Sequence, residues 1–108
     1  MKIAKRFFHP MEYEALMQCR DAESLRKLFF RYWTLKESFM KATGLGFQLP
    51  LDSFCVILKG SGIGVEQSVD TRAYYFKELD LNDGYKYAVC SVDKPFDQIL
   101  ISPLTDLL

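Results

Sequence analysis

Apolar side chains recur at Leu25, Leu28, Phe29, Tyr32, Phe39 and Met40, at separations of three, four and seven residues. One buried face of an α-helix requires that spacing. Asp21 can cap such a helix and Gly44 can stop it, which predicts a long helix over Ala22–Thr43. Pro10 suits a first helical position, and Glu12 and Glu14 in the turn behind it favour the positive helix end, so a shorter helix is predicted from Pro10 to about Cys19. Beyond Gly44-Leu45-Gly46 and Leu49-Pro50 the pattern changes. Residues 53–59 form a β-branched, apolar run fit for a largely buried strand, and Gly60, Gly62 and Gly64 then mark a turn. Residues 73–79 and 85–92 read as further strands, with Asn82-Asp83-Gly84 as a hairpin signal between them. Helices followed by strands predict an α+β fold with an antiparallel sheet, in one domain over residues 1–108. No repeat or linker interrupts it, and the tail from Asp93, with Pro95 and Pro103, carries no clear pattern.

Composition narrows the function classes. Hydrophobic residues are 49% of the chain and aromatic residues 15%, enough for a real core. Fourteen Lys and Arg balance fourteen Asp and Glu. A neutral chain lacks the surplus of cations that grips a nucleic-acid duplex or an anionic bilayer, so neither is an expected partner. The longest strongly apolar run, residues 54–58, is far too short to span a membrane. Cys19, Cys55 and Cys90 are isolated and His9 is the single histidine, which argues against structural zinc. Unpaired thiols without a secretory leader fit a soluble protein of the reducing cytoplasm, where they serve as packing residues.

Any chemistry falls on the long helix. At 100° per residue, Phe30, Trp33, Glu37 and Lys41 form a stripe along the border of the apolar face, with the carboxylate one turn ahead of the ammonium. On spacing alone Glu37 and Lys41 read as a surface ion pair worth about 0.2–0.5 kcal/mol. Phe30 and Trp33 read as core aromatics. Lys36 is anomalous: it falls inside the apolar arc, where a lone charge is costly, so it must snorkel out, pair or face a ligand. His9 reads as a helix-start residue. Ser38 has no accompanying base arrangement, which discounts a hydrolase triad.

Read as a string, the helix and its exit are Trp33-Thr34-Leu35-Lys36-Glu37-Ser38-Phe39-Met40-Lys41-Ala42-Thr43-Gly44-Leu45-Gly46. This closely resembles the Trp-x-x-Lys-Glu-Ser-x-x-Lys-x-x-Gly-x-Gly signature of the 4′-phosphopantetheinyl transferases, in particular the Sfp-type enzymes that activate peptide and polyketide synthetases. Ile3-Ala4-Lys5-Arg6-Phe7-Phe8, Glu12-Tyr13, Leu49-Pro50-Leu51-Asp52-Ser53-Phe54 and Gly84-Tyr85-Lys86-Tyr87-Ala88-Val89-Cys90 resemble other stretches of that family. The resemblance implies transfer of the phosphopantetheine arm of coenzyme A to a serine of an acyl or peptidyl carrier protein, releasing 3′,5′-ADP, with Mg²⁺ on the pyrophosphate. It implies that Glu37 is a metal ligand and the base helping to deprotonate the carrier serine. Lys41 becomes a contact to a coenzyme A phosphate and Lys36 a second candidate for that contact.

Sfp-type chains are about twice as long, with two similar halves enclosing the site, and this sequence resembles only the second, C-terminal half. The Gly-x-Asp-x-Glu strand that supplies further metal ligands in the family does not occur in these 108 residues. Asp21-Ala22-Glu23 opens a helix instead. Three readings follow: a half-enzyme completed by an N-terminal half or by self-association, a truncated product that folds without catalysing, or a carrier-protein or coenzyme A binding module. Surface that a partner half would cover predicts a homo-oligomer rather than a compact monomer.

Overall fold

The computed structural model describes residues 2–60, 62–80 and 86–93. Three helices, α1 (Lys2–Phe7), α2 (Pro10–Met17) and α3 (Ala22–Thr43), lead through two short 3₁₀ turns into β1 (Cys55–Lys59), β2 (Gly62–Glu66), β3 (Tyr74–Asp80) and β4 (Lys86–Val92). The arrangement is α+β. The described strands form two separate antiparallel ladders, β1 with β2 and β3 with β4, instead of the single sheet expected from the strand pattern.

Capping sets the helix bounds. Asp21 is extended and its Oδ1 accepts from the Ser24 amide at 2.7 Å, which also draws its carboxyl below the ordinary range. At the other end Gly44 takes φ +79°, a left-handed turn that a side chain would resist. Helix α2 starts at His9, whose Nδ1 accepts from the Met11 amide while the His9 amide donates to Glu12 Oε1. That agrees with the helix-start reading of His9. Helix α2 stops at Met17, two residues before the expected end, and the Cys19 Sγ donates back to the Ala15 carbonyl.

Packing runs along α3 in two clusters. Phe8, Leu16, Tyr32, Leu35 and Val56 make one, and Phe39, Met40, Leu49 and Phe54 the other. Phe8 stacks on Phe29 at 5.2 Å and meets the edge of Tyr32, which anchors the end of α1. That helix is absent from the reading of the sequence, because six residues carry too short a periodic signal. From β3 and β4, Tyr74, Phe76, Ala88 and Cys90 pack against these two clusters. Arg31 adds a fork of hydrogen bonds from its Nε and Nη2 to the Glu78 carboxylate at 2.8–3.1 Å.

Two further expectations are corrected. Gly62 and Gly64 lie inside strand β2 and not in a turn; only Gly60 turns the chain, at φ +52°. Ile63 and Val65, alternating with those glycines, point into the core, and Gly64 sits opposite Ile57. Phe30, read as core, is 55% exposed. The proposed Asn82-Asp83-Gly84 turn lies outside the described residues, although β3 and β4 pair antiparallel on either side of it, from Tyr74 opposite Val92 to Asp80 opposite Lys86.

Burial changes the chemistry of two thiols and a phenol. It pushes the Cys55 thiol from 9.0 up to about 11 and the Cys90 thiol to about 12. Burial and its hydrogen bond to Asp70 raise the Tyr74 hydroxyl from 10.0 to about 12. Each group holds its proton to higher pH when folded than when unfolded. The stability they contribute is intact below the unfolded values of 9.0 and 10.0 and is lost as pH rises towards about 12. Urea midpoints should therefore fall steadily from pH 9 to 11, and a flat profile would contradict the burial. At pH 8, Cys55 and Cys90, which hold their protons, should react only slowly with a thiol reagent, and rapid labelling of either would contradict the burial.

Candidate functional site

Lys36, Glu37 and Lys41 all lie on the C-terminal half of α3, yet the fold treats them differently. Lys36 and Glu12 have side chains 0% exposed and form an ion pair, Nζ to Oε1, at 2.7 Å. Lys36 Nζ also donates to the Phe54 carbonyl at 2.8 Å and lies 4.1 Å from the centre of the Phe54 ring. The other Glu12 oxygen, Oε2, accepts from the Val56 amide at 2.7 Å, and Oε1 also accepts from the His9 amide at 3.0 Å. Burial lowers the pKa of Lys36, and the adjoining Glu12 carboxylate opposes that shift. Of the three ways a lysine can sit in an apolar arc, this one pairs.

Glu12 is the buried partner of Lys36 that sequence reasoning missed, since a glutamate in a first helical turn reads as a dipole partner. A signal was present. Phe8, Glu12 and Leu16 recur every four residues and all three are buried, so Glu12 belongs to an inward row. A lysine in one apolar arc and a glutamate in another are candidates for each other.

Glu37 lies one residue round the helix, half-buried, and Lys41 is exposed one turn further on. Four residues of α-helix separate them by about 6 Å along the axis. Neither makes an ion pair with the other or with any described residue. The same Glu-to-Lys spacing does close at Glu23 and Lys27, where the charges meet at 3.3 Å on an exposed face. The surface-pair reading therefore holds at Glu23 and Lys27 and not at Glu37 and Lys41. A half-buried carboxylate and an exposed ammonium, side by side and unpaired, form a place where a phosphate-bound cation and a phosphate oxygen can both be met.

The rest of the stripe frames that place. Trp33 packs against the first core cluster while Phe30 stays outside. Ser38 is buried and its Oγ donates to the Leu35 carbonyl at 2.7 Å, so its hydroxyl is committed to its own helix. Thr43 Oγ1 donates to the Met40 carbonyl and accepts from the Leu45 amide, closing the helix end below Lys41. Gly46 follows at φ +55°, and this second left-handed glycine leaves Phe47 79% exposed. Among the described residues no three His, Cys, Asp or Glu side chains gather as a metal cluster. Glu37 is thus a single hard oxygen donor, which suits Mg²⁺ when phosphates and water fill the remaining positions.

With that geometry in place, the family model of the 4′-phosphopantetheinyl transferase superfamily matches residues 1–90. The chain belongs to this superfamily. The 4′-phosphopantetheinyl transferase Sfp of Bacillus subtilis (strain 168) is 39% identical over 105 residues, covering 94% of this chain and 46% of the relative. The 4′-phosphopantetheinyl transferase gsp of Aneurinibacillus migulanus is 32% identical over 104 residues, covering 96% of this chain and 44% of its own. A mouse L-aminoadipate-semialdehyde dehydrogenase-phosphopantetheinyl transferase is 31% identical over 103 residues, 86% of this chain and 33% of the relative. The chain therefore spans under half the length of these curated relatives. No solved structure matches it. No helix among the described residues is long and apolar enough to cross a membrane.

Proposed function

We propose that the chain is the second half of a 4′-phosphopantetheinyl transferase, moving the phosphopantetheine arm of coenzyme A to a carrier-protein serine. In that reaction the serine Oγ forms a bond to the phosphorus on the pantetheine side of the pyrophosphate. The bond from that phosphorus to the bridging oxygen breaks, and 3′,5′-ADP leaves. The observation carrying this reading is that Glu37 and Lys41, one turn apart on the helix that matches the family signature, pair with no described residue. Glu37 would hold Mg²⁺ and accept the serine proton, and Lys41 would neutralise a coenzyme A phosphate. Mg²⁺, when bound, offsets the charge of the pyrophosphate. Lys36, the second phosphate candidate, has its ammonium enclosed by Glu12 and Phe54, which favours a supporting role.

A single carboxylate leaves metal positions for another polypeptide to complete. We place a first half, or a second copy of this chain, in that role in the cytoplasm. Exposed Met11, Phe30 and Phe47, at 58%, 55% and 79%, supply apolar surface for it. The same single carboxylate is what favours the other reading, a carrier-protein or coenzyme A binding module without turnover. A mass-shift assay of apo carrier protein with coenzyme A and Mg²⁺ decides between them. Conversion to the holo form is expected when a separately supplied first half is present, with little or none from the chain alone. Light scattering should show concentration-dependent association of the isolated chain. Failure of every combination to modify the carrier, with binding intact, would leave the module.

A further inference from the structure

We propose that Glu12 is a positioning residue for Glu37, acting through Lys36. The proposal rests on the role given to Glu37 above. Lys36 is the residue before Glu37 in α3, so the rotation that fixes one fixes the direction of the other. Apolar contacts alone let a helix slide or turn a little, whereas charged hydrogen bonds of 2.7–3.0 Å do not. The Glu12 carboxylate gathers the His9 amide at the start of α2, the Lys36 ammonium on α3 and the Val56 amide on β1; Lys36 then reaches Phe54, just before β1. Three elements are tied at one buried point beside the candidate base.

Position along α3 makes that tie specific. Arg31 to Glu78 holds the middle of the helix against β3, with side chains 38% and 26% exposed. Past it, Ser38 and Thr43 donate their hydroxyls to carbonyls of α3 itself. Lys36 makes directional contacts from the C-terminal half of α3 to other parts of the fold, to Glu12 on α2 and to the Phe54 carbonyl before β1. Stability alone does not call for the pair, because well-packed apolar residues in place of a buried ion pair are often as stable or more so. Phosphoryl transfer depends mainly on positioning, and a displacement of about 1 Å can cost about 100-fold in rate.

The test is the double variant Glu12→Gln/Lys36→Met of the whole chain, which removes both charges at similar volume. Amide hydrogen exchange at residues 37–41 is read against Leu28 and Phe29 in the same helix, and transfer kinetics are read in the assembly with a first half. With the urea midpoint held, exchange at 37–41 should rise about tenfold over the reference amides. In the same variant kcat should fall by about tenfold or more while KM for coenzyme A stays within about twofold. Glu12→Asp keeps the charge but shortens the reach, so it should show the same signature more weakly, and it replaces the double variant if that one does not fold. Unchanged local exchange in a folded variant overturns the proposal, whether or not transfer is measurable. So does a rise in KM for coenzyme A with Lys36→Met that Glu12→Asp does not share, which would make Lys36 a direct phosphate contact. If no assembly transfers while exchange rises, the positioning stands and the role of Glu37 falls.

Discussion

Glu37→Gln is expected to lower holo-carrier formation by the completed enzyme by about 100-fold or more, the scale of a lost general base. The change removes the charge and keeps the volume. Glu37 is half-buried at the border of the helix face and forms no ion pair with a described residue, so its loss should leave the fold untouched. Circular dichroism and the urea midpoint should match the parent protein within error. Lys41→Ala should act differently. An exposed ammonium that meets a phosphate contributes binding, so KM for coenzyme A should rise more than kcat falls. Near-full turnover of Glu37→Gln with Mg²⁺ present would remove the metal and base role.

Breaking the buried ion pair should have the largest effect on stability. Glu12→Ala leaves the Lys36 ammonium in an apolar enclosure with only the Phe54 carbonyl, and takes acceptors from the amides of His9 and Val56. Loss of one partner of a buried pair typically costs about 3–5 kcal/mol. A small domain has about 5–15 kcal/mol in all, so the single variant should be largely destabilised or unfold at modest urea. Lys36→Ala should fall in the same range. The double variant Glu12→Gln/Lys36→Met should recover most of the loss, because no uncompensated charge remains. Urea titrations of the three variants check this, and equal losses in the single and double variants would contradict coupling between the two residues.

Sequence and tertiary structure divide the information along physical lines. Helix α3 was legible to its ends because its signals are local: Asp21 caps it, Gly44 stops it, and its apolar face repeats with the helical period. Strands β1, β3 and β4 were legible within one or two residues for the same reason, as runs of apolar and β-branched side chains. The string from Trp33 to Gly46 was enough to identify the family, since it is contiguous along one helix and its exit and its spacing survives without any fold. Strand β2 was hidden because glycine suits turns by its own conformational freedom. Its pairing with β1 depends on a partner strand that local sequence does not encode.

Tertiary structure alone decided which charges are spent and which are free. Glu23 with Lys27 and Glu37 with Lys41 have the same spacing, yet only the first pair closes. Lys36 looked available and is committed to Glu12, twenty-four residues away, a contact that no helical period can express. Phe30 and Trp33 share a stripe, but the packing of neighbouring elements covers one and leaves the other exposed. By itself the sequence determined the fold class, the long helix and the residues able to do chemistry on it. Only the folding of α2 and β1 against that helix decided that Lys36 is enclosed, and only the tertiary structure showed that Glu37 and Lys41 pair with no described residue, because desolvation and pairing depend on neighbours distant in the chain.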